Sequence, residues 1–482
     1  MAVQSPDSFR DRAVTVLGLA REGIDLARFL HAEGARVTVT DQKRAELLDD
    51  ELAQLQDLRL RYVLGGHPTD LLLDGCEWLF VSPGVPQEAS LVQDARRRGV
   101  EVSSATRLFL DRCQGTVVGI TGSSGKGTTT GLVGELLRLD GRDVRVGGNI
   151  GVPMLGQLAT ITSQSWVVLE LSSFQLETTT RAPHVAAITN LGPNHLDRHR
   201  TMEAYVGAKR RVFELQAATD WCVLNADDTL SRPFTPPSRV LRFSLEREVE
   251  GAFLRGAELR ARLGSDDSLI CTRDSIRLRG MHNVANTLTA CAVGLACGVR
   301  PESMRAAIKA YRGLPHRLQD IGTIDGVTFY DDSIATSPDR SVAALRAFDE
   351  PLVVIAGGRD KHLPMQEWAA LLVRRVRQVV LLGEASDVIA AALRQADPGF
   401  RAVSRAFSMQ EAVAQALEAA RPGDAVLLSP GGTSFDLFAD FEARGRAFQS
   451  SVSGLAARRA KLQAERAASD APSPPPGAPT DG

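Results

Sequence analysis

The chain has 482 residues, of which 44% are hydrophobic and 24% charged, an ordinary composition for a folded protein of about three domains. Lys and Arg number 56 against 58 Asp and Glu, so the formal net charge of -2 gives no reason to expect nucleic acid or a membrane surface as a partner. The six cysteines form no CxxC pair and no cluster with histidine, so neither a zinc site nor a disulfide framework is indicated.

Nothing in the sequence indicates a membrane protein. The N-terminal segment MAVQSPDSFRDR lacks the apolar core of a signal peptide, and no apolar run is long enough to span a bilayer. Free thiols suit a reducing compartment. We therefore expect a cytoplasmic monomer whose partners are small molecules.

Three stretches alternate apolar, β-rich runs with helical patterns, which predicts an α/β fold of three domains with parallel sheets. The first, residues 1–107, opens with AVTVLGL, turns into the helical IDLARFLHAEG and returns as ARVTVTD. Gly18, Ala20 and Gly23 in that turn, with Asp41 after the second strand, approximate the dinucleotide fingerprint of a Rossmann-like domain. Because Ala20 replaces the middle glycine, the fingerprint alone is weak evidence.

The second block, residues 108–313, carries the strongest single signal, a glycine-rich loop between the apolar run VVGIT and the helical pattern TTTGLVGELLRL. Strand, loop and helix in this order are the context of a phosphate-binding loop, where backbone N–H groups, the helix N-terminus and a lysine face the phosphates. The strict GxxxxGK[ST] pattern is not met, and an ordinary glycine-rich turn is the alternative. The residues predicted to bind nucleotide are Gly122, Ser123, Ser124, Gly125, Lys126, Gly127 and Thr128.

Two further polar residues follow predicted buried strands of this block. Glu170 ends the run WVVLE, and an unpaired buried carboxylate is costly, so it is predicted to hold Mg²⁺ or, alternatively, to form a structural salt bridge. His195 follows the run VAAITNL and is either a metal or substrate ligand or a structural histidine. Ligands of open α/β sheets bind at the carboxyl ends of strands, which favours the functional interpretation of both.

The rest of the chain is less informative. Lys209 lies in a basic helical patch that, judged locally, is a solvated helix face, and the runs LRFSL, GAFLRG, SLICTR and SIRLRG between 241 and 279 predict small antiparallel strands inserted in the second domain. The third block, residues 314–460, repeats the βα rhythm of a Rossmann-like domain. Residues 461–482 end in a Pro-rich, apolar-poor segment and are predicted to be a disordered tail.

An ordered series of motifs resembles the Mur ligase family. It reads GITGSSGKGTTT, GGNIG, LELSSFQLE, NHLDRH, LNADD, GMHNVANTLTA, GLPHRLQ, DDSIATSP, GGRDKH and SPGGTSFDLFADFEARGRAF, and it spans nearly all of the chain outside the termini and residues 241–279. LELSSFQLE is most similar to the members that add D-glutamate. The resemblance implies a central P-loop ATPase-like domain between two Rossmann-like domains.

The resemblance also implies an activity. The chain would be an ATP- and Mg²⁺-dependent ligase that adds D-glutamate to UDP-N-acetylmuramoyl-L-alanine through an acyl-phosphate. This is a step of peptidoglycan precursor synthesis, and so of cell-wall biogenesis, cell shape and cell division. In such a reaction the protein acts by positioning its substrates and neutralising their charge.

Residues matching the family's motifs acquire roles through the resemblance. Lys126 would bind the β- and γ-phosphates, Glu170 one Mg²⁺ and His195 a second. Lys209 matches a lysine that is carbamylated in the family, and a carbamate offers the oxygen ligands that Mg²⁺ prefers. Gly127 lacks the hydroxyl that relatives place on Mg²⁺, so Thr128 or a water would take its place. The remaining ATP contacts would be Asn283, Asn286, Arg317 and Asp332.

Two further sets of residues would bind the other substrates. The resemblance assigns the glycine-rich turn of the first domain to the UDP moiety rather than to a dinucleotide. The UDP-substrate residues would be Gly18, Leu19, Ala20, Asp41, Ser82, Pro83, Gly84, Asn149 and Ser172. The D-glutamate residues would be Thr336, Lys361, Ser434, Phe435 and Phe441.

Three alternatives stay open at this point. A different ligase of the same superfamily, adding L-lysine, diaminopimelate or folate-linked glutamate, fits less well with LELSSFQLE and SPGGTSFD. A nucleotide-dependent dehydrogenase would leave the Lys126 loop and Glu170 unexplained. A non-catalytic P-loop switch or binding module would need only the phosphate loop.

Overall fold

A computed structural model of the chain describes residues 8–150, 153–194, 196–278, 280–361 and 363–469. The chain divides into two compact units, with the division between Tyr311 and Arg312. Each unit is built on parallel sheets flanked by helices, which confirms the predicted α/β fold class. Among the described residues, no helix is both long enough and apolar enough to cross a membrane.

The N-terminal part of the first unit contains five strands and five helices. They are β1 (Ala13–Leu17), β2 (Arg36–Asp41), β3 (Arg61–Leu64), β4 (Trp78–Val81) and β5 (Glu101–Ser103), with α1 (Arg21–Ala32), α2 (Asp49–Ala53), α3 (Thr69–Leu73), α4 (Ser90–Arg97) and α5 (Ala105–Arg112). The strands form one parallel sheet in the order β3-β2-β1-β4-β5. The order reverses between β1 and β4, and ligands of open α/β sheets bind in the crevice at such a point.

The middle part of the first unit adds nine strands and six helices. They are β6 (Thr116–Thr121), β7 (Val144–Gly148), β8 (Trp166–Glu170), β9 (Val185–Ile188), β10 (Trp221–Asn225), β11 (Arg239–Ser244), β12 (Gly251–Arg255), β13 (Glu258–Leu263) and β14 (Asp266–Thr272), with α6 (Lys126–Leu139), α7 (Ser173–Leu176), α8 (Leu196–His199), α9 (Met202–Glu214), α10 (Met281–Ala296) and α11 (Pro301–Ala310). They form one sheet in the order β14-β13-β12-β11-β10-β9-β6-β8-β7. Because β6 lies between β8 and β9, its carboxyl end, and thus the glycine-rich loop, lies between the ends of those two strands.

The predicted antiparallel insertion exists, but its bounds differ from the prediction. The run LRFSL lies in β11, which pairs in parallel with both β10 and β12, so antiparallel pairing starts only at β12 and β13. The run SIRLRG forms no strand in its described part, whereas ELRARL forms β13. Buried and more exposed side chains alternate along β13, with Leu259 and Ala261 buried. Gly256 and Gly264, both with left-handed backbone conformation, lie in the turns on either side of it.

The first two sheets share one hydrophobic core. Phe9 and Trp78 on the N-terminal side pack edge to face at 5.7 Å, in the same buried cluster as Val117, Leu169 and Ile188 from the middle sheet. The N-terminal and middle parts are therefore a single compact unit, because burial of this apolar surface holds them together.

The second unit contains six strands and five helices. They are β15 (Gln319–Ile324), β16 (Val327–Asp331), β17 (Leu352–Gly357), β18 (Val376–Leu382), β19 (Val403–Ala406) and β20 (Ala425–Gly431), with α12 (Pro338–Leu345), α13 (Gln366–Arg375), α14 (Ser386–Ala396), α15 (Met409–Ala419) and α16 (Phe441–Ser469). The sheet order is β15-β16-β20-β17-β18-β19, and only β15 with β16 pairs antiparallel. Strands β16, β20 and β17 lie side by side, so their carboxyl ends meet at one edge.

The last helix is longer than predicted. α16 continues to Ser469, past residue 460, where the disordered tail was predicted to begin. The segment LAARRAKLQAERAAS is rich in alanine and long-chain residues with high helix propensity, which explains the extension. The rest of the predicted tail, residues 470–482, lies outside the described residues.

Two acids of α1 are half-buried against the middle part of the unit. The Gln175 side chain donates to Glu22 Oε1 at 2.6 Å, and the Leu155 N–H donates to Asp25 Oδ2 at 3.0 Å. Glu22 Oε2 is buried without a hydrogen-bond partner. Burial raises the pKa of both acids, that of Glu22 to about 7, although the Gln175 hydrogen bond and Arg21 oppose the shift.

We expect Glu22→Gln to stabilise the first unit more at high pH than at low pH. The folded state keeps Glu22 protonated up to about pH 7, whereas the unfolded carboxyl ionises near its ordinary pKa of 4.5. The unfolding free energy of the wild type therefore falls as pH rises from 4.5 to about 7, whereas the glutamine variant has no carboxyl to ionise and shows no such decrease. Urea titrations measure the unfolding free energy of variant and wild type. The variant's advantage over the wild type should be about 2 kcal/mol larger at pH 8 than at pH 5. The exposed Glu46→Gln is the control, and an equal difference at both pH values would contradict the expectation.

Candidate active site

The glycine-rich loop has a conformation that only glycine permits at two positions. Gly122 and Gly125 have φ angles of 148° and 77°. A Cβ atom would lie 1.9 Å from Thr189 Oγ1 at Gly122, and 2.1 Å from Asn286 Oδ1 at Gly125. The loop is therefore a cradle that cannot hold side chains at these positions, as a phosphate-binding loop requires.

The loop is braced by the segment that follows β9. Asn190 accepts from the N–H of Ser123 through its carbonyl at 2.9 Å and from the N–H of Ser124 through Oδ1 at 3.0 Å, while Thr189 Oγ1 donates to Ser124 O at 2.6 Å. Lys126 Nζ donates to the carbonyls of Gly122 at 3.0 Å and Ser123 at 3.2 Å. The predicted nucleotide-binding residues thus form one rigid loop at the N-terminus of α6.

Glu170 lies beside this loop. It is the last residue of β8, which pairs directly with β6, and its side chain is only 3% exposed. Asn149, just after β7, donates from Nδ2 to Glu170 Oε1 at 2.8 Å and from its N–H to Glu170 O at 2.9 Å. The partner that a buried carboxylate requires is therefore the Asn149 amide, and no salt bridge with Glu170 is found among the described residues.

Lys209 is buried, so the interpretation as part of a solvated helix face is wrong. Its side chain is 2% exposed, and Nζ donates to Thr121 Oγ1 at 3.3 Å and lies 4.8 Å from the ring centroid of Tyr205. Burial lowers the pKa of Lys209 to about 7; the positive charge of Lys126 lowers it further and the negative charge of Glu170 opposes the shift. The periodicity of α9 did not indicate this burial, because basic neighbours surround Lys209 in the sequence.

The predicted metal ligands are only partly described. His195 lies outside the described residues. Among the described ones, no group of three or more His, Cys, Asp and Glu side chains is placed to hold a metal ion. Glu170 offers carboxylate oxygens suited to Mg²⁺, whereas the Lys209 ammonium would repel a divalent cation. The residues fit Mg²⁺ if Lys209 carries a carbamate, which replaces the positive charge by two oxygen donors.

Two of the predicted ATP contacts, Asn283 and Asn286, lie next to the loop. Asn286 is buried in the first part of α10. Its Oδ1 occupies the space that a Cβ atom on Gly125 would need. Its Nδ2 donates to Asn283 Oδ1 at 3.0 Å. The pair is thus linked by a hydrogen bond and lies on the rim of the loop.

Seven of the predicted UDP-substrate residues come together at the switch point of the first sheet, whereas Asn149 and Ser172 follow β7 and β8 of the middle sheet. Asp41, at the end of β2, accepts from the N–H of Leu19 through Oδ2 at 2.8 Å and from the N–H of Lys43 through Oδ1 at 2.9 Å. Ser82 Oγ, after β4, donates to Gly18 O at 2.8 Å. Asp41 therefore fixes the turn that contains Gly18, Leu19 and Ala20, and the Ser82, Pro83 and Gly84 segment lies against it.

The predicted ATP-contacting pair of the second unit differs in exposure. Arg317 is exposed, whereas Asp332 is buried and accepts from Leu318 N–H at 3.2 Å and from Ser429 Oγ at 3.3 Å. Burial raises the pKa of Asp332 to about 7, against the opposing hydrogen bonds and the charge of Arg317. Asp332 therefore anchors the loop before α12 from inside the unit.

The predicted D-glutamate residues follow three neighbouring strands of the second sheet: Thr336 comes after β16, Lys361 after β17, and Ser434, Phe435 and Phe441 after β20. Burial and then the positive charges of Arg340 and Arg444 lower the pKa of Lys361, so these three cations lie near one another. Arg444 is held by the Ser333 and Gly432 carbonyls at 2.9 and 3.1 Å. Such a group suits a ligand with carboxylates. Of the other predicted residues, Ser434 is buried, Thr336 and Phe441 are half-buried, and Phe435 is 56% exposed.

Comparisons with known proteins agree with this geometry. Three family models match in order: the Mur ligase MurD-like N-terminal domain over residues 12–104, the Mur ligase middle domain over 120–294 and the Mur ligase glutamate ligase domain over 316–432. A protein of Symbiobacterium thermophilum named UDP-N-acetylmuramoylalanine--D-glutamate ligase is 44% identical, over 91% of this chain and 97% of its own length. The chain belongs to the Mur ligase family. This assignment confirms the predicted resemblance and removes the dehydrogenase and the non-catalytic P-loop module as alternatives.

Other Mur ligases give the same result. The proteins of the same name from Roseiflexus sp. and Pelotomaculum thermopropionicum are 40% and 37% identical, covering 90% and 93% of this chain and 96% and 98% of their own lengths. Among solved structures, the MurC UDP-N-acetylmuramate-alanine ligase of Thermotoga maritima aligns with a TM-score of 0.53 at 18% identity, over 92% of this chain and 99% of that one. MurF of Acinetobacter baumannii aligns with a TM-score of 0.51 at 17% identity, over 82% and 88%. At such low identity the structures support the fold alone.

Several residues of this Mur ligase site were missed by the sequence analysis. Arg21 donates from Nη2 to the carbonyls of Gly148 and Asn149, both at 3.1 Å, and Arg198 donates to the carbonyls of Gly84 and Val85 at 2.8 and 2.6 Å. Arg21, at the start of α1, thereby joins the N-terminal part to the loop after β7 that carries Asn149, and Arg198 of α8 binds the loop after β4. Both stand inside motifs noted in the sequence, the first-domain turn and NHLDRH, but their carbonyl partners are distant in the chain and left no local signal.

Proposed function

We propose that this Mur ligase joins the carboxylate of UDP-N-acetylmuramoyl-L-alanine to the amine of D-glutamate with consumption of ATP. The names of the relatives that match almost the full chain support this substrate pair. The observation that carries the catalytic part of the proposal is the juxtaposition of the phosphate loop, Glu170 and Lys209 at one edge of the middle sheet. The proposal places the chain in peptidoglycan precursor synthesis.

The reaction proceeds in two steps. A carboxylate oxygen of the alanine residue attacks the γ-phosphorus of ATP, and the bond to the β–γ bridging oxygen breaks, giving an acyl-phosphate and ADP. The amine of D-glutamate then attacks the acyl carbon, loses a proton, and expels inorganic phosphate to leave the amide. Lys126 and the loop offset the negative charge that gathers on the transferred phosphoryl group.

Mg²⁺ would be held by Glu170, by Lys209 as its carbamate and by the hydroxyl of Thr128, with His195 as the predicted ligand of a second ion. When bound, the ion would neutralise phosphate charge and hold the phosphate oxygens in place. Asn149 keeps the Glu170 carboxylate oriented through its 2.8 Å hydrogen bond, as partners outside the ligand set commonly do.

Modification of Lys209 follows from its surroundings. A carbamate forms when a neutral amine attacks CO₂ and loses a proton, so the amine must be uncharged near neutral pH. The lowered pKa of Lys209 meets this condition, and Thr121 Oγ1 and the Tyr205 ring fix the position of Nζ. A carbamate would also replace the repulsion between the half-buried Lys126 and the buried Lys209 with an attraction.

The other predicted contacts complete the proposal. Asn283, Asn286, Arg317 and Asp332 would contact ATP, and the turn of Gly18 to Ala20 with Asp41 and residues Ser82 to Gly84 would contact the UDP moiety. The cationic edge at Lys361, with Ser434 and Thr336, would bind the two carboxylates of D-glutamate. Ser172, whose hydroxyl caps α7 by accepting from the Gln175 N–H at 3.2 Å, would line the muramoyl-alanine side together with Asn149. Cytoplasmic location and a monomeric state stay predictions.

An amino-acid panel tests the proposed function. With UDP-N-acetylmuramoyl-L-alanine, ATP and Mg²⁺, we expect ADP release that depends on D-glutamate and is absent with L-glutamate, L-lysine or diaminopimelate. Omission of the nucleotide-sugar substrate should also abolish ADP release, because the phosphoryl acceptor is then missing. Turnover with L-lysine but not with D-glutamate would reassign the chain to another member of the family.

A further inference from the structure

Tyr205 is a buried residue outside the motifs, and in the proposed function only its ring has a role, at Lys209. It lies in the first turns of α9, its side chain is 0% exposed, and its hydroxyl lies 2.9 Å from Ser123 Oγ in the phosphate loop. Lys209 Nζ lies 4.8 Å from the centroid of the Tyr205 ring, and the centroid of the His199 ring lies 5.3 Å from it. Tyr205 thus touches the loop and the lysine that stands one helical turn further along.

The direction of the hydrogen bond between Tyr205 and Ser123 follows from counting protons. The Ser123 hydroxyl has a single hydrogen, which it donates to Gly192 O at 2.9 Å, an oxygen that can only accept. Gly192 N–H donates back to Ser123 Oγ at 2.9 Å, so the remaining lone pair receives the Tyr205 O–H. The serine hydroxyl is therefore fully used inside the protein, and Tyr205 is the donor.

We propose that Tyr205 is a positioning residue for nucleotide binding, which holds the phosphate loop through Ser123. The bond to the Ser123 hydroxyl adds a side-chain anchor to the bonds that Asn190 and Thr189 make with the loop. With Tyr205 in place, the backbone of Ser123 is fixed on both sides, by Asn190 at the N–H and by the Tyr205 and Gly192 contacts at the hydroxyl. The inference rests on the proposed role of this loop in ATP binding.

The variant Tyr205→Phe isolates the hydroxyl, because the ring that packs against Lys209 and His199 remains. We expect its Kd for ATP, measured by calorimetry with Mg²⁺ but without the other substrates, to rise about 3- to 10-fold, the effect of losing one hydrogen bond. The KM for ATP should rise in parallel, whereas the KM for D-glutamate should not change. Tyr330→Phe is the matched control, since it removes another buried tyrosine hydroxyl from the second unit.

A double-mutant cycle with Ser123→Ala tests the route of the effect. If Tyr205 acts through Ser123, the Kd for ATP of the double variant should not exceed the larger of the two Kd values of the single variants. A Kd for Tyr205→Phe within 2-fold of the wild type, or fold-changes that multiply in the double variant, would overturn the inference. Failure of the wild type itself to bind ATP would be a different result, because it would remove the proposed function together with this role of Tyr205.

Discussion

Replacement of Lys126 by methionine is expected to lower kcat/KM for ATP by about 100- to 1000-fold, the typical loss when a charge-stabilising donor is removed from a transition state. Lys126 stands at the first position of α6, where its Nζ already lies over the carbonyls of Gly122 and Ser123 at the mouth of the loop. Methionine is unbranched and only one atom shorter than lysine, and it lacks the charge and the donors. Steady-state ADP release with both other substrates saturating measures the effect.

The exposed Lys309 on α11 offers a matched control for Lys126. Lys309→Met removes one positive charge from the same unit, far from the loop in the sequence, and should leave kcat/KM for ATP unchanged. Thermal unfolding of both variants separates a loss of charge from a loss of structure. A Lys126→Met enzyme with wild-type turnover would remove the phosphate loop from the mechanism.

Replacement of Lys209 by alanine is expected to lower turnover by at least about 100-fold, because a proposed metal ligand is lost and not only a partner of one. In the wild type the effect should depend on pH. The uncharged amine is the form that takes up CO₂, and its fraction rises as pH rises through the pKa of Lys209 at about 7. Carbamate content and activity should therefore fall together as pH is lowered below about 7.

The carbamate can be observed directly. With ¹³C-labelled bicarbonate, the wild-type protein at pH 8 should give a carbamate carbon resonance that is absent from Lys209→Ala and present in the Lys309→Met control. A wild-type protein with no carbamate resonance at pH 8 would contradict the assigned role of Lys209.

The lowered pKa of Lys209 also affects the folding stability of the unmodified protein. Between pH 7 and the unfolded-state pKa of 10.5 the unfolded chain binds more protons than the folded one, so the free energy of unfolding rises with pH across that range.

The fold followed closely from the sequence wherever an element had its own local signal. Apolar runs such as AVTVLGL and VVGIT predicted parallel strands, and β1 and β6 each lie between two parallel neighbours in their sheets. The error came at β11, since the run LRFSL has the same alternation whether its neighbour is parallel or antiparallel. Pairing direction depends on distant chain segments, and periodicity within one run does not contain it.

The site was predictable for residues that follow strands, and less so for residues on helices. Gly122, Glu170 and Asp41 stand at strand ends, where ligands of open sheets bind, so their positions alone pointed to the site. Lys209 and Tyr205 lie on α9, and their burial depends on how that helix packs over the loop after β6. Arg340 and Arg444 come from separate helices, and only the folded sheet edge brings their charges near Lys361.

Activation of the substrate carboxylate as an acyl-phosphate is the central step of the proposed reaction, and oxygen transfer tests it most directly. UDP-N-acetylmuramoyl-L-alanine with ¹⁸O in both carboxylate oxygens should yield, with ATP and D-glutamate, inorganic phosphate that carries one ¹⁸O per molecule, because the attacking oxygen leaves with phosphorus. Mass spectrometry of the released phosphate measures it. Phosphate without ¹⁸O, with amide product formed at the normal rate, would contradict the account.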